Sequence, residues 1–160
     1  MRKWAVLILA FAASGCVAID ASGSADTAAR RETIIPVQMQ GAYDTYHFAP
    51  ATRAGDFVFV SGVVAGLRDG QSDDAALDAS FDRAFRGVAM VLGEAGADWS
   101  DVVEMTTYHT DLPAQFETFS RVKDRFVAAP YPSWTAIDVD RLLPDQGIVE
   151  IRVTAYAPRE

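Results

Sequence analysis

Residues 149–156 read VEIRVTAY, a strict alternation of apolar side chains with polar or aromatic ones. Successive side chains of a β-strand point to opposite faces of its sheet, so the apolar four share one face: Val149, Ile151, Val153 and Ala155. The remaining four share the other face: Glu150, Arg152, Thr154 and Tyr156. The stretch therefore predicts a strand with one face covered by helices and an open face that carries aromatic and ionisable groups.

Four more segments are rich in β-branched and aromatic residues, a composition typical of strands. With the last strand, they are predicted at Thr33–Val37, Asp56–Ser61, Val102–His109, Ser133–Val139 and Ile148–Tyr156. The strand at Ser133–Val139 alternates as well, which groups Trp134, Ala136 and Asp138 on one side. We assign this group to the open face of the sheet.

Two segments have the apolar spacing of amphipathic helices. Ala75–Ala95 carries a stripe at intervals of three and four residues: Leu77, Phe81, Ala84, Phe85, Val88, Leu92 and Ala95. Pro113–Val127 is predicted to bury Phe116, Phe119, Val122 and Phe126. The order β-β-α-β-α-β-β indicates an α+β sandwich with both helices on one sheet face. We expect the open, partly apolar face to be covered in an oligomer.

Composition limits the classes of function. The chain has 160 residues, half of them hydrophobic, which suits one folded domain. Its net charge of −8 disfavours nucleic-acid binding, which requires a basic surface. A single cysteine excludes an intrachain disulfide and a cysteine-based zinc site, and two histidines make a histidine-rich metal centre improbable, so we expect no metal site. The sequence contains no Gly-rich phosphate loop and no nucleophile elbow.

The amino terminus is typical of an export signal. Arg2 and Lys3 precede an apolar run, Trp4–Ala13, that is shorter than the about 20 residues needed to span a bilayer. The run ends in Ala-Ser-Gly before Cys16, which resembles the lipobox of bacterial lipoproteins, where the cysteine is lipidated. We expect a signal peptide at 1–15, a flexible tether at 16–32 and a folded domain at 33–160. An ordinary cleaved signal or a retained anchor are the alternatives.

Five segments, in this order, resemble the reactive-intermediate deaminase (Rid, or YjgF) family: GDFVFVSG at 55–62, FDRAFRGVAMVLGEAG at 81–96, DVVEMTTYHTDL at 101–112, YPSWTAIDVDRLLP at 131–144 and VEIRVTAY at 149–156. The resemblance implies a chorismate-mutase-like fold and a homotrimer with small-molecule clefts between its subunits. It also implies hydrolysis of reactive enamines and imines to ketoacids and ammonia, without a metal or organic cofactor.

The resemblance also implies site residues. The family's catalytic glutamate, which holds or activates the attacking water, falls on Glu150. The Ser-Gly pair whose backbone approaches the ligand falls on Ser61 and Gly62. The arginine that clamps the substrate carboxylate is replaced by Trp134, and the cysteine two residues later by Ala136.

Three further residues are candidates for contacts with substrate. Ser120 occupies the position of a helix asparagine of the family, and Tyr108 is placed at the cleft. Arg152 follows Glu150 on the same strand face, where it could replace the missing charge or simply pair with Glu150 or Asp138 in the trimer interface. Because an indole has only one neutral donor, Trp134 indicates a less charged, more aromatic or cationic ligand.

Two functions remain open from the sequence. The first is an exported, cofactor-independent deaminase with altered substrate choice, lipid-anchored at the periplasmic face of a bacterial membrane. The second is a non-catalytic trimer that binds a small molecule or a protein partner. The retained Glu150 favours the enzyme, and the replacement by Trp134 favours the binding protein.

Overall fold

The structure, a computed structural model, describes residues 31–68 and 70–159. Six strands form one sheet: β1 (Arg31–Ile34), β2 (Ala51–Ala54), β3 (Phe57–Gly66), β4 (Val102–His109), β5 (Ser133–Asp138) and β6 (Gly147–Tyr156). Three α-helices accompany it: α1 (Gln40–Tyr46), α2 (Asp74–Glu94) and α3 (Leu112–Lys123). The strand order is β1-β2-β3-β6-β4-β5, and only the β4–β5 pairing is parallel. The predicted α+β class with a mixed sheet is confirmed.

The predicted faces of β6 are confirmed. Its apolar residues are completely buried: Val149, Ile151, Val153 and Ala155. The alternate residues are half-buried or exposed, and β6 lies between β3 and β4 in the middle of the sheet. A central strand with one apolar face therefore fixes which side of the sheet becomes the core.

Helices α2 and α3 supply the other half of this core. Asp73 caps α2 by accepting a hydrogen bond from the Ala76 amide, and Asp111 caps α3 through the Ala114 amide. The predicted stripe of α2 is buried, with Leu77 packed at its margin. Two expectations for the second helix were wrong. It ends at Lys123 rather than Val127, and Phe116 is 46% exposed because it stacks on an edge strand instead of entering the core.

The sequence prediction missed α1 and β2 and began β1 too late. Strand β2 has only four residues, and the buried Arg53 among them conceals its apolar character. The Arg53 guanidinium donates hydrogen bonds of 2.6 Å to the carbonyls of Ala95 and Ala157. Arg53 therefore joins the end of α2 to the end of β6. Residues 31 and 32, which we had assigned to the tether, pair with β2.

The assignment of Trp134, Ala136 and Asp138 to the open face was wrong. The parallel register places Trp134 beside Met105 and Ala136 beside Thr107, and both partners are buried under the helices. These β5 residues therefore lie on the helix side, where α3 covers Trp134.

The predicted signal peptide, Cys16 and nearly all of the tether lie outside the described residues. Within residues 31–68 and 70–159, no helix is long and apolar enough to cross a membrane.

Candidate functional site

Glu150 and Gly62 lie against each other on the open face. The pairing of β3 with β6 shifts register between Val60 and Val63, and this bulge contains Gly62. A Cβ atom built on Gly62 would stand 1.6 Å from Oε1 of Glu150. Only glycine leaves room there for the Glu150 carboxylate, so the bulge presents that carboxylate against exposed backbone.

Ser61 fixes the bulge to the loop that precedes β2. Its hydroxyl donates a 2.7 Å hydrogen bond to the Ala49 carbonyl, and its amide donates one of 2.9 Å to the Pro50 carbonyl. The donor of the Ser61 hydroxyl is therefore used in holding the backbone next to Gly62 in place, and its acceptor lone pairs remain. The predicted contact of Ser61 with substrate stays a prediction.

Tyr108 lies beside Glu150 across the β4–β6 pairing, and Arg152 follows two residues along β6. Among the described residues, Arg152 forms no ion pair with Glu150 or Asp138. Asp138 instead accepts a 2.8 Å hydrogen bond from the Leu112 amide on the helix side. Both roles predicted for Arg152, a contact with substrate and an ion pair in the trimer interface, stay predictions.

The open face also carries apolar surface. Phe57, Phe59 and Tyr156 are 40–45% exposed, and the Phe57 ring lies 5.3 Å from the Tyr156 ring. Ile137 and Val103 are similarly exposed. A small domain seldom leaves several large apolar side chains of one sheet face in water, so this face is suited to association.

Trp134 is held on the helix side by aromatic packing and one hydrogen bond. Its ring is parallel to that of Phe116 at 5.9 Å and lies 6.0 Å from that of Phe119. Its indole Nε1 donates a 3.0 Å hydrogen bond to the Thr107 hydroxyl. The Lys123 ammonium lies 5.1 Å from the Trp134 ring centroid. Because that ring already has a cation nearby, the expectation of a cationic ligand loses its support.

The indole hydrogen bond begins a buried chain of hydrogen bonds in which each group donates to the next. Gln115 Oε1 accepts from Nδ1 of His109, so the neutral imidazole has its acceptor at Nε2. The Thr107 hydroxyl, which accepts from Trp134, donates to this Nε2 at 3.0 Å. The chain fixes the indole orientation and uses His109 as a structural group, which agrees with its complete burial.

We expect this arrangement to make stability depend on pH. Burial lowers the pKa of His109 below its ordinary 6.5, with Gln115 and Asp138 acting in the opposite direction. As the pH falls below 6.5, His109 takes up a proton in the unfolded chain but stays neutral in the folded one. The free energy of unfolding therefore decreases until the pH falls below the lowered pKa of His109 in the folded chain. The pKa values of Asp74, Asp78 and Asp98 are lowered from 3.8, so these groups titrate below this window.

Urea unfolding between about pH 8 and about pH 5 measures this dependence. His109→Gln should remove it, and His47→Gln at an exposed position is the matched control. An equal slope in the parent protein and in His109→Gln would contradict the assignment.

The structure divides the predicted site residues into two groups. Ser61, Gly62, Tyr108, Glu150 and Arg152 lie around the open face and the β3 bulge. Trp134, Ala136 and Ser120 belong to β5 and α3 on the other side.

The predicted site residue Ser120 has its Oγ buried on the helix side, and among the described residues this oxygen has no hydrogen-bond partner. Sequence reasoning missed Lys123. Its ring contacts, Tyr131 and Trp134, come from the loop and strand that follow α3, so the periodicity of the helix does not reveal them. Within the described ranges, no three His, Cys, Asp or Glu residues are grouped so that they could hold a metal ion.

Comparison with known proteins agrees with this architecture. The family model described as Endoribonuclease L-PSP matches residues 40–157. The RutC family protein YjgH of Escherichia coli K12 is 34% identical over 131 residues, which cover 81% of this chain and 98% of that protein. Reactive Intermediate Deaminase A of Arabidopsis thaliana is 28% identical over 109 residues, 68% of this chain and 57% of that protein.

A solved structure titled Protein YJGH superposes with a TM-score of 0.70 at 32% identity. The match covers 82% of this chain and 99% of that one. The family model spans nearly the whole described sheet, and the identity to YjgH extends over almost all of that relative. The chain is therefore a member of the Rid/YjgF (L-PSP) family.

Proposed function

We propose that this protein is a homotrimeric, cofactor-independent deaminase that hydrolyses a small enamine or imine, with Glu150 as the residue that handles water. The observation that carries the proposal is the seating of the Glu150 carboxylate over Gly62 in the β3 bulge. The name of the Arabidopsis relative, Reactive Intermediate Deaminase A, supports the reaction class.

The chemistry requires one group that can both accept and return a proton. Glu150 takes a proton from water as the oxygen adds to the imine carbon. It returns this proton to the imine nitrogen, which gives a carbinolamine. Glu150 then takes the proton of the carbinolamine hydroxyl and passes it to the amino nitrogen as the carbon–nitrogen bond breaks, which leaves the carbonyl and releases ammonia. The glycine backbone beside the carboxylate lets a small substrate approach closely. No step in this sequence needs an electron carrier.

Association of protomers completes the site in this proposal. Glu150 and Trp134 lie on opposite faces of one sheet, so a cleft that uses both needs groups from two protomers. The exposed aromatic surface formed by Phe57, Phe59 and Tyr156 supports burial of the open face between copies. Arg152, which has no carboxylate partner within residues 31–68 and 70–159, is available to such an interface or to a ligand.

The alternative is a trimer that binds a small metabolite without turnover. Trp134 favours it, because the resemblance places a substrate-clamping arginine at this position and an indole cannot form a bidentate contact with a carboxylate. Although the family model is described as an endoribonuclease, the net charge of −8 argues against RNA as the substrate.

We further propose export and lipidation at Cys16, supported by the apolar run and the small residues before that cysteine. Labelling of expressing cells with radioactive palmitate tests this proposal. Cys16→Ser should abolish the label, whereas label retained in that variant would overturn lipidation at this residue.

The experiment for the enzyme measures ketoacid and ammonia from freshly generated 2-iminopropionate and bulkier imino acids. We expect turnover above the spontaneous rate and, by light scattering, a mass three times that of one chain. A trimer that is inert toward every imino acid yet binds small molecules would replace the deaminase by the binding protein.

A further inference from the structure

A cavity of about 240 Å³ opens on the helix side of the sheet, where α3 ends and β5 begins. Its walls are almost entirely apolar or aromatic, with one ammonium group among them: Met105, Val127, Tyr131, Pro132, Trp134 and Lys123. A largely apolar cavity with one charged group is the usual composition of a small-molecule site. We call it the Lys123 cavity.

Lys123 is unusual because its side chain is only 13% exposed although it is charged. Its Nζ lies 5.1 Å from the Trp134 ring centroid and 5.8 Å from that of Tyr131. The two rings attract the ammonium group and hold it at the cavity wall.

The Lys123 ammonium has more N–H donors than it uses. Nζ has three protons, and Asp124 accepts one at 2.6 Å. The Asp124 side chain is 66% exposed, so water screens that pair. Among the described residues, Asp124 is the only hydrogen-bond acceptor of Lys123. An anion entering the cavity would find donors still free.

The charge and the walls together define the ligand class. A second cation would be repelled by Lys123, and a small hydrated anion would gain nothing from Met105, Val127 and the rings. We propose that the Lys123 cavity binds a small organic acid, with its flat apolar body against Met105, Val127 and Trp134 and its carboxylate on the Lys123 ammonium. The proposal requires neither hydrolysis at Glu150 nor a second protomer.

Three probes of nearly equal shape test the proposal by calorimetry on the purified protein at neutral pH. Phenylacetate is anionic, phenylacetamide is neutral and phenethylamine is cationic. We expect phenylacetate to bind about tenfold more tightly than phenylacetamide, as a charge-assisted hydrogen bond allows. Phenethylamine should bind most weakly. Equal affinity for the acid and the amide would overturn the proposal.

Variants then assign the preference to one residue. Lys123→Met keeps the apolar stem and should reduce the preference for the acid to less than about twofold, while Lys123→Arg should retain it. Arg141→Met removes one exposed positive charge elsewhere and should leave the preference unchanged. A preference for the acid that survives Lys123→Met would overturn the proposal.

A second readout needs no substitution. The chain has only two lysines, Lys3 and Lys123, so reductive ¹³C-methylation gives few NMR signals. The Lys123 signal, shifted by the two ring currents, should move on titration with phenylacetate, and about tenfold more phenylacetamide should be needed for half of its own shift. An unmoved signal would contradict the proposed contact.

The two proposals fail separately. An inert protein that binds phenylacetate through Lys123 overturns only the deaminase. An active deaminase whose preference for phenylacetate is unchanged by Lys123→Met overturns only the acid site.

Discussion

We expect Glu150→Gln to lower turnover of the preferred imino acid by about 100-fold or more, because glutamine keeps the shape but cannot accept a proton from water. The comparison is made at saturating substrate, with the trimeric mass verified for each variant. Glu117→Gln, an exposed change of the same type on α3, is the matched control and should keep the parent rate. Full activity in Glu150→Gln would remove this residue from the chemistry.

A second variant tests the same geometry without altering charge. In Gly62→Ala the new methyl group would occupy the place of Glu150 Oε1, so the flexible carboxylate has to swing away. We expect a similar loss of turnover with little change in stability. Unchanged turnover would show that the contact with Gly62 does not position the carboxylate.

The second large effect concerns stability. We expect Arg53→Met to lower the free energy of unfolding by about 2–4 kcal/mol. Its two hydrogen bonds, to the Ala95 and Ala157 carbonyls, both have a charged donor, and the substitution removes both. It also removes the free-energy cost of burying the guanidinium charge, but this gain offsets only part of the loss. Both carbonyls would then lack the donor that joins α2 to β6.

Urea unfolding at neutral pH measures this change, with Arg141→Met as the control. That arginine is 69% exposed, and its loss should alter stability by less than about 0.5 kcal/mol. A similarly small effect of Arg53→Met would show that the two carbonyls find other partners.

Periodicity carried most of the fold prediction, and its limits are specific. Alternation identified which residues of β5 share a face, but it could not determine which face they occupy. The parallel register with β4 decides that question, and it placed Trp134 beside Met105 under the helices. In β6 the apolar residues were unambiguous, so the same reasoning succeeded there.

The site divides in the same way. Family resemblance selected Gly62 and Glu150, and the β3–β6 register explains why two residues so distant in sequence meet. Lys123 escaped detection because a charged residue at the end of an amphipathic helix ordinarily faces water. Its burial depends on Tyr131 and Trp134, which the next loop and strand bring over it.

The central pairing of β3 with β6 also governs how the molecule can form. It joins Phe57 to Tyr156, so the sheet cannot form completely until β6 is available to pair with β3. Such non-local pairing slows folding, because the entropy of closing a long loop is lost before the strand contacts contribute their stabilisation. During synthesis, the nascent chain therefore cannot complete its sheet until its final strand has left the ribosome. Until then the edge of β3 that pairs with β6 keeps its backbone hydrogen-bonding groups unpaired and open to other strands.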